Sequence, residues 1–389
     1  MKTLVSVFAH DLASNPIGRL SPILEALQRN GYDVEVLGFL ISGSQVYLPY
    51  RDKYKYITLK CTGSVSDVLW KASNLASMAR GSVVYAGKPL MTSFLPALLA
   101  SGFGRKKPLL LDVEDNDVWG APTSETLKGF VNCYLRGFKS ATACKWGILL
   151  HPLTRLCNRV TVSSRNLQSI YGGTILRHGP SAEAFNPLLP KLDPFIWKAH
   201  YGLQQDALCI GFAGTPQPHK GFDRLVTALK SCAYPYQLLL CGPKEHPHFQ
   251  QAKQLFGNRC ILTGFLENSE MPGFLAATDL VPVLQKPSPY TEAQLPAKLL
   301  EAMAMGKLIA GSNVGDLPEI LTPPNSQRRG WTVDFFDHEG LIKLLDKIPT
   351  ISCEQKALIQ RNARTWFLNH ASVEANAEVL DQIFSGAKR

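Results

Sequence analysis

No run of roughly eighteen apolar residues interrupts the sequence, which argues against a membrane-spanning helix. No C-x-x-C pair occurs, and the nine cysteines are scattered without a Cys/His cluster at zinc spacing. Reduced thiols in a cytoplasmic protein are the expectation. Only 19% of residues are charged against 45% hydrophobic, a globular composition that excludes disordered, collagenous and coiled-coil classes. Low-complexity tracts and short-period repeats are absent too. Acids are missing from a long stretch: none occurs between Glu125 and Glu183, while Lys128, Arg136, Lys139, Lys145, Arg155, Arg159, Arg165 and Arg177 fall inside it. The net charge of +10 is therefore concentrated, with 22 Lys and Arg against 13 Asp and Glu in residues 1–195. One half of the protein is expected to face something anionic.

What is present is a repeated alternation. TLVSVFA is a short apolar run, HDLASNPIG a polar loop, RLSPILEALQRNG has helical periodicity, and YDVEVLGF alternates like a strand. The opening MKTLVSVFAHDLA reads as a buried first strand rather than a signal peptide, whose apolar region would be longer. SVVYAG, PLLLDV and RVTVSS follow at helix-length intervals. After the proline-rich NPLLPKLDPF (186–195), the pattern restarts with CIGFAG, YQLLLCG, CILTGF, LVPVL and KLIAGS. Strands alternating with helices predict parallel sheets covered on both faces. Two such α/β units, with 389 residues in all, predict a domain over 1–185, a linker over 186–203, a second domain over 204–365 and a last helix, 366–389, returning to the first domain. Two doubly wound sheets place a ligand site at the carboxyl ends of their strands, in the cleft between them.

Two segments carry the chemistry. In GFAGTPQPHKGFDRLVTALK (211–230) a strand ends at Gly214 and Lys220-Gly221 opens a helix. Backbone N–H groups at a helix start together with an ammonium suit a phosphate or diphosphate; an ordinary turn with a surface Lys is the alternative. In SPYTEAQLPAKLLEAMAMGKLIAGSNVGDLPEIL (288–321), Pro296 suits a first helical position, and Glu301 then falls in the second turn. A carboxylate there can accept hydrogen bonds from the vicinal hydroxyls of a ribose, and a buried helix with a surface Glu is the alternative.

Together these segments resemble the retaining glycosyltransferases of family 4, glycosyl transferases group 1, and the resemblance spans nearly the whole chain. GTPQPHKG, LPAKLLEAMAMGK and GSNVGDLPEIL carry most of it, with looser agreement at the Gly18 loop, VTVSSRNLQSIYGG and ILRHGPSAEAFNP. It implies the α/β GT-B fold, two Rossmann-like doubly wound domains facing each other across a cleft. The implied activity is transfer of a sugar from a nucleotide-sugar donor, itself a substrate, to an acceptor hydroxyl with retention, without a metal or other cofactor. Lys220 would bind the diphosphate and stabilise the leaving group, with Gly214, Thr215 and Gly221 in the same loop. Glu301 would hold the ribose, and the backbone around Lys298, Leu299 and Leu300 would approach the phosphates. Gly18 would admit phosphate or acceptor close to the backbone, and the base would lie near Gly264 and Phe265. The family commonly has an Arg five residues before the loop Lys and a Glu eight residues before the second one. Here those positions are Thr215 and Ala293; Ala293 is flanked by Glu292 and Gln294, and Glu292 and Ala293 are expected at the donor sugar. Arg19 or His219 is a candidate to supply the missing charge.

Other features point elsewhere. DVEDND (112–117) offers Asp112, Glu114, Asp115 and Asp117 at a spacing compatible with a hard cation, but a helix cap or acceptor contacts are the plainer readings. Leu127, Phe130, Val131, Tyr134, Leu135 and Phe138 share one helical face, with Lys128, Arg136 and Lys139 on another. That helix, followed by Trp146 and GILLHPL, either lies on an anionic membrane surface over 127–146 or faces the core with a solvated basic side. In the first case the acceptor is lipid-linked; otherwise a glycan or polysaccharide precursor is expected. Two rival functions stay open. One is a nucleotide-sugar epimerase using His10 and Asp11; the other is a donor-binding scaffold without turnover, which Thr215 and Ala293 would permit. No nucleic-acid recognition motif accompanies the basic charge.

Overall fold

The apolar runs become strands buried on both faces, as a parallel sheet sandwiched by helices requires. In the computed structural model, which describes residues 2–116, 140–143, 145–324 and 327–387, the chain divides into two units. The first comprises residues 1–178 and 373–389, the second 179–372.

The first unit holds seven parallel strands: β1 (Leu4–Ala9), β2 (Asp33–Leu40), β3 (Lys55–Lys60), β4 (Val83–Gly87), β5 (Leu109–Val113), β6 (Arg159–Val162) and β7 (Thr174–Ile175). Their order is β3-β2-β1-β4-β5-β6-β7. The helix Pro16–Arg29 buries Ile17, Leu20, Ile23, Leu24 and Leu27 against this sheet. It begins three residues before the periodic run suggested, because Pro16 supplies a preset φ at the first helical position. Gly18 accordingly lies in the first turn of this helix and not in the preceding loop. The last helix, Val373–Ala387, packs beside it. Asn30 Nδ2 donates to Ala377 O, Arg29 pairs with Glu374 at 3.0 Å, and the Tyr32 and Phe384 rings lie 4.9 Å apart. Glu35 on β2 is buried; its Oε1 accepts from Ser6 Oγ at 2.6 Å and from Arg80 N at 2.7 Å, while Oε2 has no hydrogen-bond partner among the described residues.

The second unit holds six parallel strands: β8 (Cys209–Ala213), β9 (Gln237–Cys241), β10 (Cys260–Gly264), β11 (Leu280–Val283), β12 (Leu308–Ser312) and β13 (Trp331–Val333). Their order is β10-β9-β8-β11-β12-β13. Two apolar clusters line its sheet, one including Leu239, Val283, Leu299 and Met303, the other Phe212, Phe222, Phe249 and Leu341. The proline-rich stretch is ordered within this unit. Pro190–Leu192 forms a 3-10 turn and Pro194–His200 a helix capped by the Asp193 carboxylate, which accepts from Phe195 N at 2.8 Å.

The basic amphipathic helix expected over 127–139, and Asp117 with it, lie outside the described residues. Beyond them, Lys145–Leu150 is helical and Trp146 Nε1 donates to Ser140 O at 2.8 Å. Ile148 and Leu149 on that helix are exposed. Among the described residues, no helix is long and apolar enough to cross a membrane.

Candidate functional site

Where neighbouring strands of a doubly wound sheet send their connections in opposite directions, a crevice opens at their carboxyl ends. The second unit has this point between β8 and β11, the first between β1 and β4.

In the second unit, three adjacent strands end at a glycine or are followed by one. Gly214 N donates to Cys241 O at 2.8 Å, and Gly242 N donates to Gly264 O at 2.9 Å, so the ends of β8, β9 and β10 are tied in a row. Side-chain-free backbone here leaves room for a ligand to approach. Gly214 has φ +105°, and a Cβ on it would stand 3.4 Å from Lys220 Nζ, so the ammonium lies over this backbone. The loop reaches Lys220 through a 3-10 turn, Pro218–Lys220, and reverses at Gly221 with φ +60°. A Cβ at Gly221 would meet Leu284 O at 2.7 Å, which only glycine avoids. The helix Phe222–Ser231 then begins. Phe265, next to Gly264, is 77% exposed, an open aromatic face beside the glycine row.

The chain leaving β11 closes the other side. Lys286 N donates to His219 O at 2.9 Å, joining the two loops. The His219 ring meets Tyr290 edge to face, and Tyr290 Oη accepts from Gln294 Nε2 at 2.9 Å, whose Oε1 in turn accepts from Gln285 Nε2 at 3.1 Å. Ser288 caps the helix Pro289–Ala293. Glu292 Oε2 accepts from Gly315 N at 2.7 Å, so this carboxylate clamps the turn before the helix Leu317–Leu321. Ala293 is fully buried, and Thr215 carries no charge.

The helix Ala297–Ala304 starts one residue after Pro296, whose extended ψ makes it the cap. Leu299 and Leu300 are core residues. Glu301 is half-buried in the second turn. Burial raises the Cys241 thiol, and the Glu301 carboxylate raises it further, which sets that carboxylate near the end of β9. Lys298 was expected to contribute its backbone, and the placement of its side chain is new. Its Nζ is closed off from water, lies 4.6 Å from the Phe212 ring centroid and has no hydrogen-bond partner among the described residues. Burial foremost, with the Lys220 ammonium beside it, lowers its pKa to about 7.

The first unit's switch point is crowded with charge. His10 follows β1 and Lys88 follows β4; Lys88 has φ +78°, a strained conformation for a residue with a side chain. Lys88 Nζ pairs with Glu114 at 2.9 Å and Asp115 at 3.0 Å, while Arg19 pairs with Asp115 at 3.2 Å. His178 lies between Asp112 at 3.2 Å and Glu114 at 3.6 Å. Burial opposes its charge, but the Asp112 carboxylate prevails and raises its pKa to about 10. Glu114 is likewise held at about 2 by Lys88 and Arg19 against its burial. His10, packed on Thr92, is driven down to about 4 by burial and by Lys88, so it is neutral at pH 7. Asp11 accepts from Ile41 N, Ala13 N and Ser42 Oγ, which keep its carboxyl below the usual range despite burial. Asp112, Glu114 and Asp115 are thus engaged by protein cations. Among the described residues, no group of His, Cys, Asp and Glu is arranged to hold a metal ion.

A family model described as "Glycosyl transferases group 1" matches residues 195–366. The second unit is a group 1 glycosyltransferase domain. No curated protein matches the chain in sequence. Solved structures match over its full length. A glycosyltransferase from Rickettsia africae is 16% identical with a TM-score of 0.73, covering 100% of this chain and 99% of its own. Anabaena HepE in complex with UDP-glucose is 16% identical with a TM-score of 0.73, over 99% of this chain and 100% of its own. WaaG, a glycosyltransferase involved in lipopolysaccharide biosynthesis, is 13% identical with a TM-score of 0.65, over 98% and 99%. The doubly wound fold expected for each of the two units is thereby shown, and the second unit carries the glycosyltransferase domain.

Two groups can be told apart among the residues expected from sequence. Gly214, Gly221, Lys220, Lys298 and Glu301 gather at the switch point of the second unit, with Gly264 and Phe265 two strands away. Glu292 and Ala293 are occupied by packing, and Arg19 by Asp115. Sequence reasoning missed Gly242, Lys88, His178 and the Lys298 side chain. A signal existed for the first: FAG, LCG and LTG end three successive strands alike.

Proposed function

We propose that this glycosyltransferase uses a nucleotide-sugar donor and transfers its sugar to an acceptor hydroxyl with retention of anomeric configuration. The observation that carries this reading is the Lys220 ammonium over the bare Gly214 backbone at the end of β8. A diphosphate seated there receives backbone N–H groups, a helix start and a cation, the three features that favour a phosphate anion. Lys220 neutralises the charge that builds on the diphosphate as the bond to the sugar breaks. Glu301 takes the ribose hydroxyls, and the base lies by Gly264 and Phe265. Retention rests on the family resemblance: the leaving diphosphate takes the proton of the attacking hydroxyl on the same face of the sugar, and the protein supplies position and charge. HepE, described with UDP and with UDP-glucose, supports the donor class.

For the acceptor we propose a glycan or a lipid-linked precursor, the latter favoured by the acid-free basic stretch and by exposed Ile148 and Leu149. A second reading, a donor-binding scaffold without turnover, is favoured by neutral Thr215 and fully buried Ala293. Release of nucleoside diphosphate from UDP-, GDP- and ADP-sugars separates the two. Turnover of one donor that falls at least about a hundredfold in Lys220→Ala supports the transferase. Binding without any release supports the scaffold.

A further inference from the structure

Lys298 holds a charged group where proteins rarely leave one. Its stem follows the helix Ala297–Ala304 at the second residue, and its Nζ sits over the Phe212 ring at 4.6 Å, out of water and without a hydrogen-bond partner among the described residues. Besides burial, the charge that acts on it is another cation, Lys220. Burying an ammonium beside a second ammonium is unfavourable on both counts unless an anion compensates. Lys220 itself lies over Gly214, and the helix start contributes N–H groups that the helix cannot satisfy. Aromatic packing on Phe212 fixes where the Lys298 head can reach.

We propose that the Lys298 ammonium is the second cation of the donor site, gripping the diphosphate together with Lys220; this rests on the donor reading above. It deepens that reading in one respect. The charge absent at Thr215 is supplied from the helix after β11 rather than from the loop after β8. Arg19, the other candidate, is paired with Asp115, and the His219 ring packs on Tyr290.

The test titrates UDP, GDP and ADP, each beside its monophosphate, into wild type and Lys298→Met, and records thermal unfolding of both without ligand. The diphosphate that binds wild type is expected to weaken on the order of 10- to 100-fold in the variant, and its monophosphate far less. The unliganded variant is expected to melt at or above wild type, since an apolar chain of similar length replaces an uncompensated buried amine. Should Lys298→Met fail to fold, Lys298→Gln is read in the same way. Equal diphosphate affinity in wild type and variant overturns the assignment, as does equal loss of mono- and diphosphate. Wild type that binds none of the three overturns the donor reading itself, and the inference falls with it.

Discussion

Replacing Glu292 by Ala removes the acceptor of the Gly315 N–H, a 2.7 Å hydrogen bond to a carboxylate. Gly315 packs tightly beneath the helix Pro289–Ala293, where a Cβ would stand 2.8 Å from Glu292 O. The turn therefore has little freedom to find another partner. A hydrogen bond to a charged group contributes roughly 1.5–3 kcal/mol, and partial exposure of Glu292 places this one near about 2 kcal/mol. For a unit of this size, each kcal/mol shifts the melting temperature by roughly 2–4 °C, so a fall of about 4–8 °C is expected. Glu292→Gln keeps an oxygen at the same place and should lose less than about 1 kcal/mol. Melting curves of the three proteins by circular dichroism, followed by donor titration, decide the matter. The clamp reasoning requires that Ala lowers the melting temperature and that Gln restores it with donor affinity intact. If both variants melt like wild type while donor affinity falls in both, the carboxylate serves the donor and the reasoning fails.

Gly221→Ala should cost about 2–5 kcal/mol, combining left-handed strain with the contact to Leu284 O, whereas Gly202→Ala, also at positive φ but in open space, should cost only about 1–2 kcal/mol. Equal losses in denaturant unfolding would refute the steric part. His178 has its pKa raised from 6.5 to about 10, so its contribution is complete below pH 6.5 and is lost as pH rises towards 10. The stability gap between wild type and His178→Gln should accordingly be widest near pH 6 and close towards pH 10; a gap independent of pH argues against a charged His178. Changing Lys128, Arg136 and Lys139 together to Glu should abolish sedimentation with anionic vesicles, and unchanged sedimentation ends the membrane reading.

Eleven of the strands lie where short apolar runs stand in the sequence or where the family resemblance pointed, because burial on both faces leaves an uninterrupted run such as LLLDV. β3 escaped notice because KYITLK mixes lysines with apolar residues, the composition of an exposed sheet edge. β13, at the opposite edge of the other sheet, is only three residues long. The loop after β8 was legible in part for a similar reason: Gly221 is forced by its left-handed φ and by the closeness of Leu284 O. Glu292 was not, since a carboxylate that clamps Gly315 and one that meets a sugar look alike until the turn is seen. The Lys298 head was hidden too. Helical spacing places its Cα, but only packing shows that Nζ ends on Phe212 rather than in solvent. In the first unit, Asp112, Glu114 and Asp115 suggested a cation, and three protein cations turned out to fill that place: His178, more than sixty residues away in the chain, with Lys88 and Arg19.

The most direct measurement is calorimetric titration of UDP-, GDP- and ADP-sugars into wild type and Lys220→Ala. The account expects one donor to bind wild type and to weaken by at least about tenfold in the variant, about 1.4 kcal/mol. Donor affinity unchanged by loss of the Lys220 ammonium would contradict it.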